Sequence, residues 1–439
     1  AILIPRLERP IAALMLILFC LPLVATGPIL RVLYGPGIGP QVTLAALACA
    51  YTTFVPLLVG LRAAPASWFD FVASYGRGRW AELLHIRAFA ALPYLIAGLQ
   101  IAAPAAFLGA MIGEFTGAER GMGVLAIRAM RSLDVEATWA LATLASGVAI
   151  LTYLAIGWAG RRLWPDPPPV ILAPPAQGTR PGLKVRVVRA LALGAGVLLC
   201  WHAVMEFAEL NRFFAKRPLD VWAFLVTAPG AEAHRADLFG ALAETLLSTL
   251  PGYIAGLALG AGLAAAFVLW PAAASAALPV AIALRSIPIV TTAPLIVLAF
   301  GRGAVGSLVI VAVMIFFPTL VACLQGLRQA PGQILEMFES YSAPRWLTLL
   351  AAQLPAMVPA LFAAARMAVP AALLAVTVAE WLATGTGIGN LMALTASTSN
   401  YNMLWSAVAV LTLASVVLYE IVGAAERAML ARFAPEQLA

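Results

Sequence analysis

Two charged segments of this chain carry residue types that suit contact with a partner protein. Their informative residues are Asp70, Gly76, Trp80, Leu92 and Pro93 in the first segment and Glu336, Glu339, Ser342, Trp346 and Pro359 in the second. An acidic first turn suits the positive end of a helix macrodipole, and a glycine permits a left-handed turn. Tryptophan is favoured at interface hot spots. The segments are therefore predicted to project short helices into a partner, and an interfacial helix without a partner is the alternative.

Ionisable residues within apolar stretches form a second group, because such residues are costly in a membrane and mark substrate pathways. The group comprises Arg285, Arg366, Glu114 and Glu380, together with the polar Gln100. An arginine fork suits a carboxylate, sulfonate or nitrate. We interpret these residues as lining a substrate path or gate. For the two glutamates the alternative is an interfacial carboxylate that caps a helix or pairs with an arginine across a pseudo-twofold axis. Snorkelling to the membrane surface is the alternative for Arg285.

The sequence offers little support for catalytic or metal chemistry. Its three histidines are scattered, and its four cysteines lie in apolar stretches without C-x-x-C spacing, so we expect neither a disulfide nor a metal site. No His, Asp or Ser set at catalytic spacing supports a membrane enzyme. No G-x-x-x-x-G-K-[ST] sequence occurs, so we expect no cofactor here and assign ATP, Mg²⁺ and hydrolysis to a separate subunit.

The composition is that of a chain solvated mainly by lipid. Hydrophobic residues make up 63% of the chain and charged residues 11%, whereas soluble domains carry about 25% charged residues. Several apolar runs reach the roughly 20 residues that a bilayer-spanning helix needs. The net charge of +7 is interpreted as basic cytoplasmic loops rather than as a nucleic-acid surface. We predict an all-α polytopic membrane protein.

An internal duplication organises the chain. A shift of 266 residues superimposes its two ends without a gap, and pairs Trp80 with Trp346, Pro93 with Pro359, and Glu114 with Glu380. The same shift places Gln100 opposite Arg366 and Phe19 opposite Arg285, so the arginines break the symmetry. Rare residues agreeing in one register indicate two copies of one unit.

The duplication predicts three parts and about ten membrane-spanning helices. Residues 188–439 form a complete copy with six spans, and residues 1–160 form a copy that lacks its first two spans. Six is an even number, so both copies insert the same way and the repeat is parallel. About 80 residues with the two remaining helices are expected before Ala1. Within the second copy, Gly252, Gly256 and Gly260 recur every fourth residue, which indicates close helix packing.

Charge distribution orients the chain. Residues 161–187 form a linker rich in proline and arginine, which the positive-inside bias places in the cytoplasm. Helix counting places segments 62–93 and 328–358 on the same side. The Glu114 and Glu380 turns and the polar stretch 206–237 then face outward. Arg128 and Arg131 are also predicted on the outer face, where they suit docking of an acidic binding protein.

Several motifs resemble those of a known family. Asp70 to Gly76 with Leu92-Pro93, and Glu336 to Ser342 with Pro359, resemble the E-A-A-x-x-x-G…L-P loop of binding-protein-dependent ABC importer permeases of the type I fold. Arg285-Ser286-Ile287-Pro288, Ala379-Glu380-Trp381 and Gly385 to Gly389 resemble the branch that imports nitrate, taurine, alkanesulfonates and thiamine-precursor pyrimidines. The chain departs from the motif in lacking its two alanines and in carrying Ser342 for the glycine. Unequal contacts of the two loops are therefore expected.

The resemblance implies a permease in the bacterial inner membrane that passes a small anion or small organic solute. It implies two copies of an ABC ATPase on the loops and a periplasmic binding protein on the outer face, with lipid around the helices and no nucleic-acid partner. An ion-coupled secondary transporter is the alternative function. It usually has inverted repeats and coupled carboxylates at mid-membrane, and the repeat here is parallel.

Overall fold

The structure is a computed structural model that describes residues 5–35, 37–116, 118–132, 134–163, 183–274 and 289–433. Within these ranges the chain is helical and contains no strand. The first copy comprises α1 (Pro5–Cys20), α2 (Leu23–Tyr34), α3 (Gly39–Gly60), α4 (Ala66–Ser74), α5 (Arg79–Phe115), α6 (Met122–Arg131) and α7 (Val135–Leu163). The second comprises α8 (Leu183–Phe207), α9 (Pro218–Thr227), α10 (Ala231–Leu269), α11 (Ile289–Phe300), α12 (Ala304–Arg328), α13 (Gly332–Ser340), α14 (Arg345–Thr384), α15 (Gly387–Ser397) and α16 (Tyr401–Phe433).

The helix boundaries recur at the spacing of the sequence repeat. After a shift of 266 residues, α2 has the same first and last positions as α11, and α4 has the same first and last positions as α13. The same shift carries the π-helical turn at Leu83–Arg87 of α5 onto that at Leu349–Gln353 of α14. The two copies therefore share local backbone structure as well as sequence pattern. The boundaries that we assign to the three parts of the chain stay predictions.

Seven helices in the described ranges are long and apolar enough to cross a membrane, namely α3, α5, α7, α10, α12, α14 and α16. The span predicted at 11–34 is a pair of helices, α1 and α2, with a 93° bend between them. The bend falls at Pro22, which lacks the N–H that a continuous helix needs. The span predicted at 188–204 lies in α8, whose apolar part is only 17 residues long, from Leu191 to Phe207. Part of the span predicted at 277–300 lies outside the described residues.

In three places the observed helices extend beyond the predicted ones. The spans predicted at 94–115 and 360–381 are the ends of α5 and α14, which run for 37 and 40 residues. The polar stretch predicted at 206–237 contains α9 and the start of α10. Hydropathy marks only the part of a helix in lipid, so it misses the turns that continue beyond the membrane.

The two copies pack together through reciprocal helix contacts. Helix α2 of the first copy contacts α14, α15 and α16 of the second, and α11 of the second contacts α5 and α7 of the first. One apolar cluster unites matched residues from both copies, since it contains Leu44 with Ile310 and Ile112 with Val378. We call this cluster the seam. Its reciprocal pattern is that of two parallel copies related by a pseudo-twofold axis.

The glycine stripe on α10 lies directly against α12. A Cβ at Gly252 would lie 2.8 Å from the carbonyl oxygen of Leu308, and one at Gly260 would lie 2.6 Å from that of Phe316. Between them, a Cβ at Gly256 would lie 3.0 Å from the carbonyl oxygen of Ala312. Small residues allow such close backbone approach in membrane helices. The packing interpretation of the stripe is confirmed for these three glycines.

We expect Gly256→Leu to disrupt the contact between α10 and α12. A branched side chain at this close approach of two backbones overpacks the interface, at a cost of about 1–3 kcal/mol. Thermal unfolding of the purified protein in detergent measures the effect as a lower midpoint. Gly262→Leu is the matched control, because a Cβ at Gly262 on the same helix meets nothing within 4 Å. Equal midpoints for the two variants would contradict the packing assignment.

Candidate functional site

The two predicted docking segments share the same helix end. At the end of α4 the Gly76 N–H donates to Ala73 O and the Arg77 N–H donates to Val72 O, with a φ of +67° at Gly76. These two hydrogen bonds form a Schellman motif. At the end of α13 the same pattern recurs around Ser342, which holds a φ of +50° although it is not a glycine. The departure from the motif glycine therefore leaves the backbone turn intact and places a side chain in a strained conformation.

Large apolar side chains at matched positions are exposed around both turns. In the first copy they are Trp68, Phe71, Tyr75, Trp80 and Leu84, and in the second copy Ile334, Met337, Tyr341, Trp346 and Leu350. Asp70, Glu336 and Glu339 stand exposed beside them. We call the two groups the loop surfaces. Exposed apolar patches rimmed by polar residues mark interaction sites.

Leu92, Pro93 and Pro359 lie away from these turns. They are within α5 and α14, one to two turns beyond the π-helical turns. Proline cannot donate an i→i−4 hydrogen bond, and π-helical turns are found where a helix is locally disturbed. The end of the motif therefore joins the loop surface to the membrane-spanning helix through a continuous, irregular helix rather than through a loop.

Glu114 and Glu380 each accept a hydrogen bond from the backbone N–H of a glycine at the start of a short helix. The Gly123 N–H donates to Glu114 Oε2 at 2.6 Å, and the Gly389 N–H donates to Glu380 Oε2 at 2.9 Å. The Glu380 carboxylate is also 2.9 Å from the Thr245 hydroxyl, and is only 3% exposed. Carboxylates satisfy the free donors of a helix N-terminus. This geometry is that of the capping alternative.

Arg366 is not a free cation in this structure. Its Nη1 lies 3.0 Å from Glu426 Oε2 on α16, and its guanidinium carbon lies 5.3 Å from the ring centroid of Tyr419. The Tyr51 hydroxyl of the first copy lies 3.6 Å from the sulfur of Met367 beside it. The ion pair is thus held where α3 of the first copy meets α14 and α16 of the second.

The residues predicted to line a path or gate do not form one cluster in the structure. Arg366 and Glu380 stand fourteen residues apart on α14, which is about 21 Å along a helix axis. Gln100 lies by Gly157 in the first copy, as Arg366 lies by Gly423 in the second. Arg285 lies outside the described residues. Arg128 and Arg131 stand exposed in the last turn of α6, the helix whose first turn Glu114 caps.

Sequence reasoning missed three polar residues, namely Thr245, Glu244 and Glu426. The Ile388 N–H donates to the Thr245 hydroxyl at 2.8 Å, and the Gly387 N–H donates to Glu244 at 3.0 Å. No residue spacing in the sequence indicates that α10 and α15 contact each other. Glu426 did carry a signal, because the 266-residue shift pairs it with Gly160 and so breaks the symmetry just as Arg366 does.

The fold is that of a multi-pass membrane protein built from two parallel copies. The sequence profile described as "Binding-protein-dependent transport system inner membrane component" matches residues 4–165 and 256–434. The chain therefore belongs to this family of inner-membrane ABC transporter permeases. The family prediction from the loop motifs is confirmed.

Three curated relatives are similar to parts of the chain. A probable ABC transporter permease protein of Haemophilus influenzae is 27% identical over 237 residues, 54% of this chain and 94% of the relative. The riboflavin transport system permease protein RibX of Chloroflexus aurantiacus is 32% identical over 34% of this chain and 56% of its own. The formylaminopyrimidine transport permease protein ThiX of Halalkalibacterium halodurans is 29% identical over 34% and 60%. The chain thus spans little more than half the length of the last two.

We expect Glu426→Ala to destabilise the protein more than the double change of Arg366→Met with Glu426→Met. Removing one partner leaves a buried charge unpaired, at a cost of about 3–5 kcal/mol, whereas an apolar pair of similar size is tolerated. The first copy has the uncharged Gln100 and Gly160 at these positions. The midpoints of thermal unfolding of the two variants show which one is less stable. A double variant less stable than the single variant would show that the charges themselves hold the helices.

We expect Glu380→Ala to lower stability because the Gly389 N–H loses its buried acceptor. An unsatisfied buried donor costs about 1–3 kcal/mol. The midpoint of thermal unfolding measures the loss, and Glu119→Ala, at an exposed position in the first copy, is the control. If the two midpoints agree, the carboxylate does not stabilise the turn before α15.

Proposed function

We propose that this chain forms the transmembrane path of an ATP-driven importer for a small solute. A periplasmic binding protein delivers the solute to the outer face, and two copies of an ABC ATPase subunit hold the loop surfaces. ATP and Mg²⁺ bind in those ATPases. The relatives' names and the family description support the class of transporter.

The paired loop surfaces carry this proposal. Each presents aromatic or aliphatic side chains on a short helix that ends in the same left-handed turn, at Gly76 or Ser342. A short amphipathic helix that fits a groove is a common mode of docking. Two such helices at equivalent positions suit two ATPase subunits related by the same pseudo-twofold axis. The separate ATPase also agrees with the lack of a phosphate-binding loop in the sequence.

In this proposal the ATPases drive alternating access. Their ATP-bound closure draws the two loop surfaces together, and α5 and α14 carry the movement into the membrane because each is continuous with its surface. The seam between the copies then separates on the outer side. Hydrolysis reverses the movement and releases solute inward. Such a cycle requires only that the nucleotide state binds one conformation better than the other.

The substrate class we propose is a small anion or small organic solute, nitrate-like, sulfonate-like or taurine-like. Two relatives are named for transport of riboflavin and of formylaminopyrimidine, which are small organic molecules. Glu426 neutralises Arg366, but the Arg366 Nε has no hydrogen-bond acceptor among the described residues. In this proposal the buried donor meets a polar group of the solute only in a state of the cycle that exposes it. Arg285, Gln100, Glu114 and Glu380 stay candidates for the path or gate.

We expect Trp80→Glu to release the ATPase from the first loop surface. A charge in place of a desolvated aromatic anchor typically costs at least 2 kcal/mol, a loss of affinity of about thirtyfold. Copurification of the ATPase and uptake into proteoliposomes, with and without ATP, measure the effect. Trp158→Glu on α7, a 54% exposed tryptophan outside the loop surfaces, is the control. Uptake that continues without ATP under an ion gradient would instead support the ion-coupled transporter.

A further inference from the structure

The break between α1 and α2 leaves backbone donors without acceptors inside the molecule. Pro22 stands at the break, and its carbonyl accepts the N–H groups of Ala25 and Thr26, both at 3.0 Å. The N–H groups of Leu23 and Val24 donate to no carbonyl among the described residues, and no side chain caps the helix. Both residues are only 6% exposed. Because lipid offers no acceptor either, such donors are costly unless they meet a partner in some state of the protein.

A buried hydroxyl without a partner lies beside this break. Ser415 of α16 is 1% exposed, and its Oγ has no partner of hydrogen-bonding geometry within the described ranges. It lies next to the thiol of Cys20, which is the last residue of α1. Leu411, one turn before Ser415, packs in the same apolar cluster as Ala25 of α2. The hydroxyl and the start of α2 therefore lie together where the first copy meets the second.

The seam covers the two backbone donors in this structure. Leu23 and Val24 belong to the seam, together with Ala375 and Val378 of α14. In the cycle proposed above the seam separates on its outer side, and this movement uncovers the start of α2. Donors that are covered in one state and uncovered in another suit a solute that binds the two states unequally.

Ser415 also continues the face of α16 that holds Arg366. Tyr419 and Glu426 follow Ser415 by four and eleven residues, which places all three on one side of the helix. Both contact the Arg366 guanidinium. Ser415 and Glu426 are about 16 Å apart along the helix axis. The start of α2 and Arg366 thus lie toward the two ends of one polar face.

We propose that the start of α2 and the Ser415 hydroxyl form a binding site for an oxyanion group of the solute, such as a nitrate, sulfonate or carboxylate. The inference rests on the function proposed above and names one site on its path. The free N–H groups and the macrodipole of α2, a helix of 12 residues, favour negative charge. The hydroxyl adds a third donor. All three donors are uncharged, so they hold an oxyanion less tightly than an ion pair would, as release of the solute requires.

Cys20 reports on this site because its thiol lies next to Ser415. The test uses the transporter with its ATPase in proteoliposomes at constant ionic strength, and mass spectrometry measures alkylation of each cysteine by a small membrane-permeable maleimide. Trapping with ATP is expected to expose Cys20, and acetate, nitrate or ethanesulfonate is then expected to slow its alkylation. Acetamide, which has the shape of acetate without its charge, is the control solute. The exposed Cys200 is the internal reference and is expected to react equally throughout.

A matched pair of variants isolates one backbone donor. Leu23→Pro deletes the N–H at the first position of α2, where proline suits a helix, whereas Leu23→Ala also loses the leucine side chain but keeps the N–H. Leu23→Pro is expected to need at least about tenfold more acetate than Leu23→Ala for half-protection of Cys20. Ser415→Ala removes only the hydroxyl and is expected to need about fivefold more than the unchanged chain. It tests the site even if Leu23→Pro fails to fold.

Three results would overturn the site. They are equal protection in Leu23→Pro, Leu23→Ala and Ser415→Ala, equal protection by acetamide and acetate, and a Cys20 that stays unreactive in every nucleotide state. Each of them leaves the proposed function standing. That function fails separately, if uptake proceeds without ATP under an ion gradient.

Discussion

The seam between the two copies is the constraint on which the rest of the molecule depends. In lipid, helices gain little from the hydrophobic effect, so their association relies on close packing. The seam supplies it with matched residues, Leu44 with Ile310 and Ile112 with Val378, and with reciprocal contacts of α2 and α11. Because both copies use the same positions, their loop surfaces and their carboxylate-capped turns occupy equivalent places. The pseudo-twofold axis then lies between equivalent walls.

Chemical asymmetry is added to this symmetric frame at a few polar positions. The second copy buries the Arg366–Glu426 ion pair where the first has Gln100 and Gly160. Buried charges tolerate few substitutions because each must keep its partner, whereas the apolar seam depends on shape alone. A transporter that must pass one asymmetric solute through a symmetric scaffold is expected to place its differences at such sites, away from the packing that holds the copies together.

In the loop surfaces, too, the backbone is alike in the two copies while the side chains differ. The left-handed turn recurs at Gly76 and Ser342 although only the glycine adopts it without strain. The same pair of local backbone hydrogen bonds closes the turn in both copies, and the side chains around it differ. Trp68 and Phe71 correspond to Ile334 and Met337, so the two surfaces offer a partner the same shape of helix with different contact groups.

Apolar runs and the 266-residue repeat were enough to predict an all-helical membrane fold and the parallel duplication, because these properties depend on residue types at fixed spacing. The family was predicted from the resemblance of the loop motifs. Hydropathy misplaced the starts of α5 and α14 and joined α1 to α2, since it senses lipid but not the helix beyond it or the break at Pro22. Only the tertiary structure decided what the buried charges do. Glu426 pairs with Arg366 across two helices and Thr245 meets Glu380 across more than a hundred residues, and no local pattern carries information about such distant partners.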